Sequence, residues 1–146
     1  PVLAKPGTVG YRRHMMSLPL TGHWRVTVPG CLSEIPDEDA GKIIYAVSNF
    51  QVFGSTFRLA AMNDEPLLTN EAAGEALFTQ SDLRGTIDVK MTDEPQGFSM
   101  TAVANTPTDG KTRERGIVTV WSPDEALRPL AEQVLRSLRY DPPREP

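Results

Sequence analysis

Apolar and polar residues alternate with a period of two along most of this chain, and that pattern predicts strands. Trp24, Val26 and Val28 share one face of 23–28 before Pro29-Gly30 stops the run. Residues 42–50 are rich in β-branched and aromatic side chains, and 51–62 continue the pattern past Gly54, so a hairpin turning near Ser48-Asn49 is expected. Ile87, Val89 and Met91 alternate with Asp88 and Lys90; after a turn at 93–97, Phe98, Met100, Ala102 and Ala104 alternate in their turn. This makes 84–106 a β-hairpin. A further turn at 108–111 leads into 113–121, with Ile117, Val118 and Val120 at its heart, completing an antiparallel meander.

Two segments carry helical signals. Thr69 to Phe78 places helix formers after a Thr/Asn cap and predicts a short central helix. Leu127, Leu130, Ala131, Val134, Leu135 and Leu138 mark one apolar face of an amphipathic C-terminal helix, entered through Ser122-Pro123-Asp124-Glu125 with Ser122 as the expected cap. Pro129 cannot sit inside that helix without breaking a hydrogen bond. The first turn is therefore expected to be a separate piece, with the main helix over about 128–139. The fold class read from these patterns is α+β: an antiparallel sheet of hairpins covered by a C-terminal amphipathic helix and a short central one.

The ends differ from the middle. Residues 1–15 hold a Pro/Gly-containing polar stretch followed by Tyr11-Arg12-Arg13-His14-Met15, and a His-Met pair is what a cloning junction leaves. They read as a flexible arm or tag-like segment, 16–140 as one α+β domain, and 141–146 as a frayed Pro-rich tail. The chain carries 15 basic and 19 acidic residues, net −4, but Lys5, Arg12 and Arg13 lie in the arm. Without them the domain stands near −7, which argues against nucleic acid or an anionic membrane as partner and fits a basic protein. No apolar run is long enough to span a membrane. The expected compartment is the cytoplasm, or the periplasm if a signal has been removed.

Candidate chemistry is sparse. With His14, His23 and the lone Cys31, neither a metal site nor a histidine-based catalytic centre is expected. His23 and Cys31 flank one strand, and its length separates them. Glu34, Asp37, Glu38 and Asp39 form an acidic run, and Asp64-Glu65 a second; neither has the spacing of a calcium loop, so they read first as solvated loops, and they are the candidates for meeting a protein partner. No phosphate loop, dinucleotide fingerprint or nucleophile elbow occurs, so no catalytic residue, cofactor or metal is assigned. Trp24, Phe53, Phe57, Phe98 and Trp121 are expected on the inner face of the sheet, while Tyr45 and Phe50 fit either face; an aromatic on the open face would mark a partner surface.

The final helix ends on Leu135-Arg136-Ser137-Leu138-Arg139. Together with an early strand ending at a proline and a run of antiparallel strands, this resembles the PsbP/Mog1 group over about residues 20–140. The resemblance implies a mostly non-enzymatic domain that binds proteins or small ligands. It transfers no functional residue, and Pro129 departs from its pattern. The expected function is a non-enzymatic protein-binding or accessory domain, its sharpest form an acidic immunity protein that neutralises a basic partner. The alternative is a small-ligand-binding or enzymatic pocket between the sheet and the 63–80 segment, involving Glu65, Glu71, Glu75 or Cys31.

Overall fold

The computed structural model describes residues 14–20, 23–35, 42–60, 77–80, 82–93, 96–106 and 112–141. Their period-two segments form nine strands: β1 (Met15–Pro19), β2 (Trp24–Pro29), β3 (Ser33–Ile35), β4 (Lys42–Val47), β5 (Phe50–Ala60), β6 (Arg84–Asp93), β7 (Gln96–Asn105), β8 (Thr112–Ser122) and β9 (Arg139–Tyr140). One short helix, α1 (Arg128–Arg136), follows a 3-10 turn at Glu125–Leu127. The architecture is dominated by antiparallel sheet, and the helical share is smaller than the α+β expectation.

A six-stranded sheet runs in the order β3-β4-β5-β8-β7-β6, and a three-stranded sheet in the order β1-β2-β9. The 84–106 hairpin forms as expected, with Asp93 opposite Gln96, and the meander continues through β8. The β4–β5 hairpin turns at Ser48-Asn49, where Val47 pairs with Phe50. Residues 69–76 of the expected central helix lie outside the described residues; its last two, Leu77 and Phe78, are not helical.

The core lies between the sheets. Phe50, Val52, Phe98, Ala102, Val118 and Val120 project from the inner face of the six-stranded sheet and are fully buried. Trp24, Val26 and Val28 of β2 and Leu130, Ala131, Val134 and Leu135 of α1 close over them. Each fully buried Phe, Leu or Val side chain among them stabilises the fold by about 1.5–3 kcal/mol in transfer free energy, so apolar burial holds the two sheets together. The three-stranded sheet is also pinned by Tyr45, whose hydroxyl donates to the Pro19 carbonyl at 2.6 Å.

Pro129 occupies the first turn of α1, where its missing N–H costs nothing. The helix therefore begins at Arg128, as its sequence predicts, but it stops earlier than expected. Ser137 turns out of α1, its N–H bonding back to Gln133 and Val134, and Arg139–Tyr140 become β9 beside Trp24 and Arg25. The cap also differs. Ser122 is a buried strand residue whose hydroxyl donates to the Asn49 carbonyl at 2.7 Å, and Asp124 caps the 3-10 turn by accepting from Ala126 N at 3.0 Å.

Tyr45 gives this architecture a measurable pH signature. Burial, and then the nearby Glu34 carboxylate, raise its pKa above the ordinary 10.0. The unfolded chain therefore loses this proton first as pH rises. Tyr45's contribution is complete below pH 10.0 and falls as pH climbs from there through the folded value. Tyr45→Phe is expected to flatten the alkaline limb of a stability-versus-pH curve measured by urea unfolding; an unchanged limb would contradict the assignment.

Candidate functional site

The outer face of the six-stranded sheet is the first candidate. Strand geometry sends alternate side chains to opposite faces. Because Phe50, Val52, Val118 and Val120 point inward, Phe53, Phe57, Ile117 and Trp121 must point outward. This corrects the expectation that Phe53, Phe57 and Trp121 line the core; Trp24 and Phe98 do so, joined by Tyr45 and Phe50. The long strands are apolar on both faces, and composition alone does not set which parity faces in.

Cross-strand register assembles these outward side chains. Ile35 lies opposite Ile44, Ile44 opposite Phe53, and Phe53 opposite Thr119. One row away Ser55 faces Ile117 and Ile117 faces Val103, and on the other side Gln51 faces Trp121. Phe57 and Ile35 are exposed at 49% and 45%, while Ile44, Phe53, Ile117 and Trp121 are half-buried. Ile44, Phe53, Ser55, Ile117 and Thr119 line a shallow groove of about 260 Å³ on this face. Polar neighbours hold the surface in register: the Thr101 and Thr119 hydroxyls bond at 3.0 Å, and Arg115 Nε donates to Asn105 Oδ1 at 2.8 Å.

The second candidate is a cleft of about 960 Å³ between the three-stranded sheet, the last turn of α1 and residues 79–80. Thr79 donates through both its N–H (2.9 Å) and its hydroxyl (2.8 Å) to the Arg136 carbonyl at the helix C-terminus. Gln80 Oε1 accepts from Tyr140 N at 2.8 Å, and the Ser137 hydroxyl accepts from Thr27 N at 2.8 Å. Arg136 pairs with Glu132 at 2.9 Å and Arg139 with Asp141 at 2.8 Å. The Asp141 hydrogen bond raises the Arg139 pKa further, so that cation stays charged at any ordinary pH. These polar groups bond chiefly to one another, and so hold the cleft walls together.

Of the residues singled out from sequence, Glu34, Cys31 and His23 lie among the described ones. Glu34 is exposed on the short strand β3, opposite Tyr45. Asp37, Glu38, Asp39, Asp64 and Glu65 lie outside the described residues, as do Glu71 and Glu75. Cys31 is exposed just past the end of β2, and His23 precedes its start, where its ring stands edge-on to Tyr140. Among the described residues no three His, Cys, Asp or Glu side chains converge as a metal site would require, and no helix is long and apolar enough to cross a membrane. The outward aromatics were missed as a site. The available signal was the second alternation, Phe53-Ser55-Phe57, running beside Phe50-Val52.

No family model and no curated protein matches the chain. Among solved structures it is similar to a protein of Bacteroides thetaiotaomicron VPI-5482, determined by crystallography at 1.50 Å, with a TM-score of 0.54 and 14% sequence identity. The match covers 82% of this chain and 46% of that one, so this chain spans about half the length of its structural neighbour. At this identity the likeness speaks to the fold alone: a sheet-dominated antiparallel architecture shared with part of a larger bacterial protein.

Proposed function

We propose that this chain is a non-enzymatic protein-binding or accessory domain that meets its partner through the outer face of the six-stranded sheet. The observation that carries the reading is the contiguous outward set Ile35, Ile44, Phe53, Phe57, Ile117 and Trp121. Large apolar side chains gathered on one exposed face, with aromatics among them, favour association with another protein. The PsbP/Mog1 resemblance belongs to the same proposal, supported by the early strand ending at Pro29 and by the phrase Leu135-Arg136-Ser137-Leu138-Arg139, which starts in the last turn of α1 and runs into β9.

Neutralisation of a basic partner is the sharper form. The chain holds 19 acidic against 15 basic residues, and the acids are unevenly spread along it. Segments 36–41 and 61–76 carry seven acids and no base in sequence, and with Glu34 they supply the charge that would draw a basic surface. Phe57→Asp, at an exposed position, is expected to weaken partner capture about 30-fold or more, the usual scale for an aromatic hot spot, while leaving thermal unfolding nearly unchanged. Capture as strong as wild type would contradict the reading.

The second reading is a small-ligand pocket, favoured by the size of the cleft beside α1. Its volume falls in the range of about 300–1,000 Å³ typical of ligand sites, and Thr79 and Gln80 place the end of the 63–80 segment on its wall. Small-molecule stabilisation lost in Gln133→Trp but retained in Phe57→Asp would favour this reading over the first.

A further inference from the structure

The two edges of the six-stranded sheet are unequal. At one side β3 has three residues and is followed directly by Pro36, a short and blunted edge. At the other, β6 has ten residues, no proline, and an unbroken register with β7 from Arg84↔Asn105 to Asp93↔Gln96. No bulge twists it away. Among the described residues β6 pairs with β7 alone. Its inward-facing Val89 and Met91 are 41% and 54% exposed, although the same face is fully buried one strand further in. A long, unbulged, partly apolar edge of this kind is a template for one more strand.

The order of residues on β6 says which strand fits. Two copies of β6 placed antiparallel about Val89 set Val89 opposite the partner's Val89 and Ile87 opposite the partner's Met91. The same register sets Asp88 opposite the partner's Lys90, and Lys90 opposite the partner's Asp88. Directly opposed residues share a face, so the apolar triplet meets its copy on the inner face and two ion pairs form on the outer face. Neighbouring registers lose this match: a one-residue slip sends apolar side chains against charged ones. We infer that β6 is a self-complementary edge through which two copies of this chain join their sheets into one twelve-stranded sheet.

The surroundings agree with this arrangement. A groove of about 320 Å³ lies over Ile87 and Val89, walled by Leu77, Met100 and Pro129 and by the charged Arg128, Glu132 and Arg136, and the partner's Met91 would enter beside it. The two-fold axis stands perpendicular to the sheet. Both outer faces therefore lie on the same side, and a dimer presents two copies of the aromatic face there.

Sedimentation equilibrium of the full chain tests the inference. The wild-type chain is expected to be a dimer. Val89→Lys sets two ammonium groups against each other on the axis and is expected to weaken association roughly 100-fold or more. Asp88→Lys alone, which makes both ion pairs repulsive, is expected to weaken it roughly tenfold, and Asp88→Lys with Lys90→Asp to restore it. Asp88 and Lys90 are exposed, so the charge reversals read association even if Val89→Lys disturbs folding. A wild-type monomer at concentrations up to about 1 mM would overturn the inference. So would a dimer indifferent to Val89→Lys, or a double reversal as weak as the single one. A monomer that still captures its partner through Phe57 leaves the proposed function standing.

Discussion

Trp24→Ala is expected to lower the unfolding free energy by about 3–5 kcal/mol, the scale for emptying the site of a fully buried aromatic. Trp24 is 1% exposed and joins the three-stranded sheet to the six-stranded one. Its indole lies over Gly116 on the inner face of β8, and its ring centroid is 5.2 Å from that of Tyr140 on β9. Truncation would therefore open a cavity where the two sheets and the C-terminal strand converge. Trp24→Phe should be much milder, because Trp24 Nε1 is buried with no hydrogen-bond partner among the described residues, and losing an unsatisfied donor offsets part of the lost volume. Urea unfolding measures both. A loss below about 1 kcal/mol for Trp24→Ala would mean that the three-stranded sheet is not docked this way.

Gly116→Val should produce the second large effect, by overfilling the same contact. A Cβ at Gly116 would stand 2.8 Å from Trp24 Cε3 and 3.0 Å from Cδ2, closer than real side chains approach. A fully buried indole has nowhere to retreat, so the cost is expected at about 1–3 kcal/mol or above. The two sites should be strongly coupled. In the Trp24→Ala background the valine has space to enter, and its penalty should shrink or change sign. Additive losses in that double-mutant cycle would place Gly116 and Trp24 apart and contradict the packing.

The same contact shows what can be read from the chain. Glycine on a strand marks a close approach of some neighbour, yet nothing local to Gly116 names Trp24, ninety-two positions earlier, as that neighbour. The local features were legible for local reasons. Alternation located β6 and β7, the turn at 108–111 placed the apolar run of β8 after them, the Ser48-Asn49 turn followed from two β-rich runs meeting, and Pro129 marked the first turn of α1. Features that depend on tertiary pairing were not. Met15 closes the segment read as an arm and no strand is expected over 16–19, yet Met15–Pro19 pairs with β2 as β1. The helical apolar pattern runs through Leu138 and places Arg139 in the expected helix, but Arg139–Tyr140 pairs with β2 as β9.

The candidate site failed to show in the sequence for a related reason. In Phe50-Gln51-Val52-Phe53 and Ile117-Val118-Thr119-Val120-Trp121 apolar residues occupy both parities, so either face could have been the core. Burial by α1 and the three-stranded sheet decides it, and leaves Phe53, Phe57, Ile117 and Trp121 outside.

Site-specific photo-cross-linking tests the partner face most directly. A photoreactive phenylalanine analogue is placed at Phe57 on the outer sheet face in one sample, and at Gln133 beside the α1 cleft in another, both at exposed positions. The protein-binding reading predicts a discrete protein adduct from Phe57, abolished by competition with unlabelled wild-type chain, and none from Gln133. An adduct formed only from Gln133, or none from Phe57 while the partner is still captured, would contradict it.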